Sequence, residues 1–73
     1  MELELGNFKF SRSPVGGSII VYKNGHQIDT IPSSGYMKFA DFSAICKDAY
    51  LNKYLPEEME EWEQTLNSLS YRF

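Results

Sequence analysis

The sequence predicts an α+β fold, a small antiparallel three-stranded sheet followed by two helices packed on one of its faces. Asn-Gly at 24–25 stands between two runs rich in β-branched residues, which is typical of a β-hairpin. Apolar residues alternate with polar ones up to about residue 31, the period of a strand. After residues 32–35 they recur every three or four positions, the period of a helix. The 73 residues fit one domain over residues 1–73.

Asn24-Gly25 is the strongest local signal, because this dipeptide suits the two positive-φ positions of a type I′ turn. A two-residue turn fixes the pairing of its flanking strands, which we assign to residues 18–23 and 26–31. The predicted pairs are Lys23 with His26, Tyr22 with Gln27, Val21 with Ile28 and Ile20 with Asp29.

This register divides the hairpin into two faces. Ile19, Val21 and Ile28 share one side, which we assign to the core. Ile20 and Tyr22 point the other way. Their face is half apolar, so it is either covered by the N-terminal segment or available to a partner.

Residues 2–12 also alternate, but the phase changes at Gly6-Asn7. A bulge at Gly6 within one long strand accounts for the change, and so does a short hairpin that turns at Gly6-Asn7. We favour the single strand over residues 2–12, which makes the sheet three-stranded. The alternative hairpin would pair Leu5 with Phe8, Glu4 with Lys9 and Leu3 with Phe10.

The helical region divides at Pro56, because proline interrupts a helix but is tolerated in the first turn of the next one. We predict helices over residues 38–53 and 57–70. The apolar side of the first comprises Phe39, Phe42, Ile45, Cys46, Ala49, Tyr50 and Tyr54. The stripe of the second comprises Met59, Trp62, Leu66, Leu69 and Phe73. Such a stripe is more often core than interface, although it can also pack against its copy in a second subunit.

Negative charge is concentrated in the second helix. Residues 57–73 carry a charge of −4, whereas the whole chain carries −3. The cluster comprises Glu57, Glu58, Glu60, Glu61 and Glu63. Carboxylates in the first turns of a helix interact favourably with its dipole, by roughly 0.3–1 kcal/mol each, and a charge run usually marks a solvated face. Five exceed what that role requires, so we also expect an anionic surface that a basic partner can bind.

We find no pattern of catalytic, metal-binding or nucleotide-binding residues, so we expect no enzyme activity, no cofactor and no metal. His26 is the single histidine and falls at a turn, without a second histidine or a thiol beside it. Gly16-Gly17 lacks the Lys-Ser/Thr and the helix start of a phosphate loop. Cys46 lies on the apolar side of the first helix, which predicts a buried thiol.

A single unpaired cysteine favours a reducing compartment, so we expect a cytoplasmic protein. Glu2 and Glu4 stand where an export signal has positive charge, and the longest apolar run, residues 19–22, is too short to cross a bilayer. A pI near 4.9 argues against general nucleic-acid binding, which favours basic domains.

These observations favour a non-enzymatic acidic binding protein that docks on a larger protein or nucleoprotein complex with a basic surface. In size and charge the chain is similar to small phage and mobile-element inhibitors, of the anti-restriction and anti-CRISPR type, whose carboxylates would occupy phosphate sites. The candidate partner-binding residues are Glu57, Glu60, Glu61, Gln64, Ile20 and Tyr22.

The alternative is a small regulatory protein that binds nucleic acid through a basic and aromatic sheet face. Cations next to aromatic rings can bind a single strand by phosphate contacts and base stacking. The candidate residues are Lys9, Arg12, Lys23 and Lys38. Homodimerisation remains open under both hypotheses, and neither involves a membrane.

Overall fold

A computed structural model describes the backbone of residues 1–70 and the side chains of residues 1–63. It shows an antiparallel sheet followed by a helical region, which confirms the predicted α+β class. The sheet has four strands that neighbour one another in chain order. They are β1 (Glu2–Leu5), β2 (Phe8–Ser13), β3 (Gly16–Lys23) and β4 (His26–Ile31).

The predicted single strand over residues 2–12 is wrong, because the chain turns at Gly6-Asn7 and β1 pairs with β2 as a hairpin. Gly6 has a φ of +59°, the left-handed value that the first position of a type II′ turn requires. A Cβ at Gly6 would lie 2.7 Å from the hydroxyl oxygen of Tyr50. Glycine therefore suits the turn and also leaves room for the Tyr50 hydroxyl, and residue alternation does not report the second property.

The turn at Asn24-Gly25 is confirmed, with φ values of 51° and 83° at its two central residues. The first two pairs of the hairpin are those predicted, Lys23 with His26 and Tyr22 with Gln27.

Beyond these pairs a β-bulge at Ile28 shifts the register, so the predicted pairing of Val21 with Ile28 and of Ile20 with Asp29 is wrong. Val21 pairs with Asp29 instead. Ile28 is 47% exposed rather than part of the core. The bulge turns Asp29 toward the helix, where the carboxylate accepts a hydrogen bond from Tyr54.

The helical region is one joined helix, and the predicted break at Pro56 is wrong. It consists of α1 (Phe39–Ala49), a π-helical segment (Tyr50–Tyr54) and α2 (Leu55–Ser70). In the π segment the N–H of Leu55 bonds to the carbonyl of Tyr50, five residues back. Proline lacks an N–H, and its ring crowds the carbonyl four residues earlier. The wider turn just before Pro56 accommodates both properties without ending the helix.

The core lies between one face of the sheet and the first part of this helix, which comprises α1 and the π segment. Its buried side chains are Phe8, Phe10, Ile19, Val21, Phe42, Cys46 and Tyr54. Cys46 is buried as predicted, and burial raises the pKa of its thiol to about 11. Phe39 and Ile45, which the helical pattern assigned to the same apolar side, are 53% and 36% exposed, so the buried side is narrower than predicted.

Candidate docking surface on α2

The acidic helix is attached to the sheet near its start. Asn7 Nδ2 donates a hydrogen bond to Glu58 Oε1 at 3.0 Å, and Lys23 Nζ lies 3.6 Å from Glu61 Oε2. Asn7 lies in the β1–β2 turn and Lys23 is the last residue of β3, so both contacts come from one end of the sheet. From Glu61, α2 continues to Ser70, roughly 13 Å further at about 1.5 Å per residue. The sheet therefore fixes the base of α2 through two of its glutamates.

The remaining glutamates of the described side chains face water. Glu57, Glu60 and Glu63 are exposed, whereas Glu58 is half-buried. Within residues 1–63, neither Glu57 nor Glu60 forms an ion pair. The pKa of Lys53 is raised mainly by its hydrogen bond to Asp29 and by the charge of Asp29, and to a smaller extent by the charge of Glu57. Of the predicted docking glutamates, Glu57 and Glu60 are thus open to solvent, whereas Glu61 shares its charge with Lys23.

Met59 and Trp62 are 57% and 63% exposed, so the expectation that they belong to the core is wrong. The hydrogen bond and the ion pair from the sheet reach Glu58 and Glu61, and Trp62 lies at the edge of the groove beside them. At 3.6 residues per turn, Met59 and Trp62 lie nearly opposite Glu57 and Glu60. The base of α2 consequently presents an apolar side and an acidic side to solvent.

A groove of about 330 Å³ separates the base of α2 from the hairpin turns. Its lining residues are Asn7, Lys23, Asn24, Glu58, Glu61 and Trp62. Lys23 lies in this groove with the two carboxylates, so charge there is partly balanced. Glu57, Glu60 and Glu63 lie outside this groove and are exposed.

The Asp29 carboxylate fastens β4 to the π segment below α2. Its Oδ2 accepts hydrogen bonds from Lys53 Nζ at 3.0 Å and from Tyr54 Oη at 2.9 Å. Its Oδ1 accepts the backbone N–H of Thr30 at 2.8 Å. These bonds, that of Lys53 first, lower the pKa of Asp29 to about 2. Burial, followed by the Asp29 contact, raises the pKa of Tyr54 above its usual range. Neither group titrates near neutral pH, so the cluster is a structural fastening rather than an acid–base pair.

The four basic residues of the alternative hypothesis are not brought together. Lys9 lies on the open face of the sheet, 3.3 Å from Glu2 and over the Tyr22 ring at 5.8 Å. Lys23 is on the helix side of the sheet with Glu61. Lys38 is exposed before the first turn of α1. Cations scattered in this way do not form the continuous groove that a nucleic-acid strand requires.

Arg12, the fourth of these residues, is only 3% exposed and is not available to a ligand. Its guanidinium donates to four neutral acceptors: the carbonyls of Gly17 (3.0 Å), Ser13 (2.9 Å) and Gly35 (2.6 Å) and the Ser33 hydroxyl (2.9 Å). It thereby holds the connection between β4 and α1 against the sheet. A sequence signal for this role exists, since Arg12 shares its strand parity with the buried Phe8 and Phe10.

The other predicted site residues lie elsewhere. Ile20 and Tyr22 are half-buried on the face of the sheet opposite α1. Across residues 1–63, no helix or strand packs over that face. The side chain of Gln64 is outside the described residues. His26 is exposed at the β3–β4 turn, as predicted.

Comparison of the chain with known protein families, with curated proteins and with solved structures found no match. In the part of the chain that the structure describes, no group of three or more His, Cys, Asp or Glu residues is placed to hold a metal ion. Over the same part, no helix has both the length and the apolar character needed to cross a membrane.

Proposed function

We propose that this chain is a non-enzymatic binding protein that docks its acidic helix on a basic surface of a larger protein or nucleoprotein complex. The observation that supports this most is the solvent exposure of Glu57 and Glu60, neither of which forms an ion pair within residues 1–63. The sheet contacts α2 next to these carboxylates, through Asn7 and Lys23.

Charge is the basis of the mechanism. The two exposed carboxylates attract cationic side chains of the partner, which speeds the encounter and makes binding weaker at high salt. A basic surface that handles nucleic acid normally binds phosphates, so docking here would exclude nucleic acid from the same site. An inhibitor of a restriction or CRISPR complex is one protein of this kind, and other basic nucleic-acid-handling complexes fit the same chemistry.

The docking surface that we propose is smaller than the sequence alone suggested. Glu61 contributes less than Glu57 and Glu60, because Lys23 is near enough to share its charge. Ile20 and Tyr22 belong to the opposite face of the sheet. A flat partner surface cannot contact that face and the outer side of α2 together, so we leave both residues out of the site.

The experiment is affinity capture from native cells, with nuclease-treated and untreated lysates compared by mass spectrometry. We expect the Glu57→Gln/Glu60→Gln variant to retain at least tenfold less partner than wild type, which corresponds to about 1.4 kcal/mol. Glu4→Gln/Asp41→Asn is the matched control, because both residues are exposed, lie outside α2 and lose the same charge. The control should capture as wild type does.

Equal capture by the Glu57/Glu60 variant and the wild type would overturn the proposal. Bound proteins that disappear on nuclease treatment would instead indicate that the chain binds nucleic acid itself. For a captured partner, excess duplex DNA should displace the chain if carboxylates and phosphates share one site.

A further inference from the structure

We infer that the apolar side of α2 pairs with α2 of a second copy of this chain, in antiparallel orientation. Met59 and Trp62 carry the inference, because they are large, more than half exposed, and adjacent on one side of a helix. Tryptophan is also among the residues that contribute most to binding at protein interfaces.

The spacing of this side fits a helix as its occupant. Leu55, Met59 and Trp62 are four and three residues apart, and the sequence continues the interval with Leu66, Leu69 and Phe73. An alternation of four and three is the seven-residue repeat of two helices that pack side by side. A helix that packs on a globular core usually shows a wider apolar side. The narrow stripe therefore favours another helix over a flat surface.

The distribution of charge favours a second copy in antiparallel orientation. All the glutamates of α2 lie within residues 57–63, whereas residues 64–73 contain no acidic residue and include Arg72. A parallel pair would set Glu58 against Glu63 of the second copy, and like charges across a helix pair are repulsive. An antiparallel pair brings only the two copies of Glu63 close together, whereas the parallel pair has its Glu58–Glu63 contact twice. It sets the rest of the acidic half of each helix against the half without acidic residues.

The antiparallel register follows from matching the apolar positions. It sets Met59 level with Leu69 of the second copy, and Trp62 level with Leu66 of the second copy. In this register the hairpin turns of the second copy, which contact α2 at Glu58 and Glu61, lie level with residues 67–70 of the first. The two sheets are then at opposite ends of the pair and do not compete for space.

The dimer and the proposed docking site use different sides of α2. Glu57 and Glu60 lie nearly opposite the apolar side, so each dimer would display two acidic surfaces. The two proposals can fail separately, because the mass of the isolated chain tests the dimer and capture from cells tests docking.

The first test is the mass of the purified full chain by analytical ultracentrifugation, with tryptophan fluorescence measured in parallel. We expect twice the single-chain mass of 8.4 kDa at high concentration, falling toward 8.4 kDa on dilution. Trp62 is the only tryptophan, so its emission should shift to shorter wavelength as the dimer forms.

The variant Trp62→Glu should remain at the single-chain mass. Val15→Glu is its control, because Val15 is 76% exposed and lies in the turn between β2 and β3, away from α2. The control should dimerise as wild type does, and circular dichroism should show that both variants keep their helix. If the wild type has a mass of 8.4 kDa at every concentration and its emission does not shift, the stripe does not pair with a second copy and the inference is overturned.

The second test addresses orientation. In the antiparallel register residue 63 is level with residue 65 of the second copy, so the two residues 63 share one flank and are offset by only about 3 Å along the axis. A parallel pair holds these positions on opposite flanks. Under mild oxidation we expect Glu63→Cys to form a disulfide-linked dimer, and Glu60→Cys, on the outer side, to form far less. Cys46 is buried and does not interfere. A dimer by mass in which Glu63→Cys fails to cross-link would rule out the antiparallel arrangement.

Discussion

The two ends of the joined helix carry similar apolar spacing and have different surroundings. On α1, Phe42 and Cys46 are completely buried against the sheet. On α2, Met59 and Trp62 are more than half exposed, because the contacts from the hairpin turns fall on another side of the helix. Amphipathic spacing therefore predicts that a helix side needs a partner. It does not predict whether that partner belongs to the same chain.

The largest expected effect tests this difference directly. Phe42→Ala should destabilise the fold by about 3–5 kcal/mol, because it removes a fully buried ring and leaves a cavity. A core of this size supplies about 3–5 kcal/mol in total, so the variant should be largely unfolded. Trp62→Ala should cost less than about 1 kcal/mol when measured by urea denaturation at a concentration where the chain is monomeric. Similar losses for both variants would place α2 in the same cooperative core as α1.

An intermediate effect is expected at Arg12, which holds the β4–α1 connection. Arg12→Lys keeps the positive charge but loses the planar fork that reaches four acceptors, so we expect a loss of about 2 kcal/mol. Lys9→Met, on the open face of the sheet, is the comparison and should change stability by less than about 0.5 kcal/mol. Thermal unfolding of the two variants measures this, and equal shifts in Tm would mean that Arg12 does not fix the connection.

The smallest effect concerns the Asp29 fastening between β4 and the π segment. Its folded-state pKa of about 2 lies below the ordinary value of 3.8, so its stabilisation is complete above about pH 5 and is lost as the pH falls toward 2. The group is partly exposed to solvent, so we expect only about 0.5–1 kcal/mol. Asp29→Asn should remove this amount at pH 7 and flatten the stability–pH curve between pH 5 and 2. An unchanged slope in the variant would show that other carboxylates account for the acid sensitivity.

The structure of this chain follows from its sequence where one local rule is sufficient. Asn24-Gly25 determines its own turn and the two pairs next to it, since only those positive-φ positions are involved. The register beyond depends on Asp29 reaching Tyr54, which lies 25 residues away. A bulge driven by such a contact cannot be predicted from the strands alone.

The turn at Gly6-Asn7 also depends on contacts between residues that are distant in the sequence. Both a bulge and a turn satisfy the alternation of apolar residues in β1 and β2, so the alternation does not decide between them. Contacts with the helix do. Tyr50 lies over Gly6, and the Asn7 side chain binds Glu58 on α2. These contacts favour the hairpin, which the sequence offered as the second choice.

The candidate site was predicted in part. The run of glutamates indicated a solvated acidic surface, and Glu57 and Glu60 are exposed. Which glutamates bind the sheet could not be predicted, because Glu58 and Glu61 find their neighbours, Asn7 and Lys23, only after two hairpins are in place. The stripe at Met59 and Trp62 was recognised from its spacing, but its exposure depends on where the sheet ends.

The π segment has a consequence for changes in chain length. Tyr50 and Tyr54, at the two ends of this segment, both keep their rings near Phe8, at 5.7 and 5.5 Å between centroids. The wide turn holds one residue more than an α turn would. Removal of the exposed Asn52 together with replacement of Pro56 should therefore close the turn and leave α1 and α2 aimed as before. A relative shorter by one residue at this point is compatible with the same architecture.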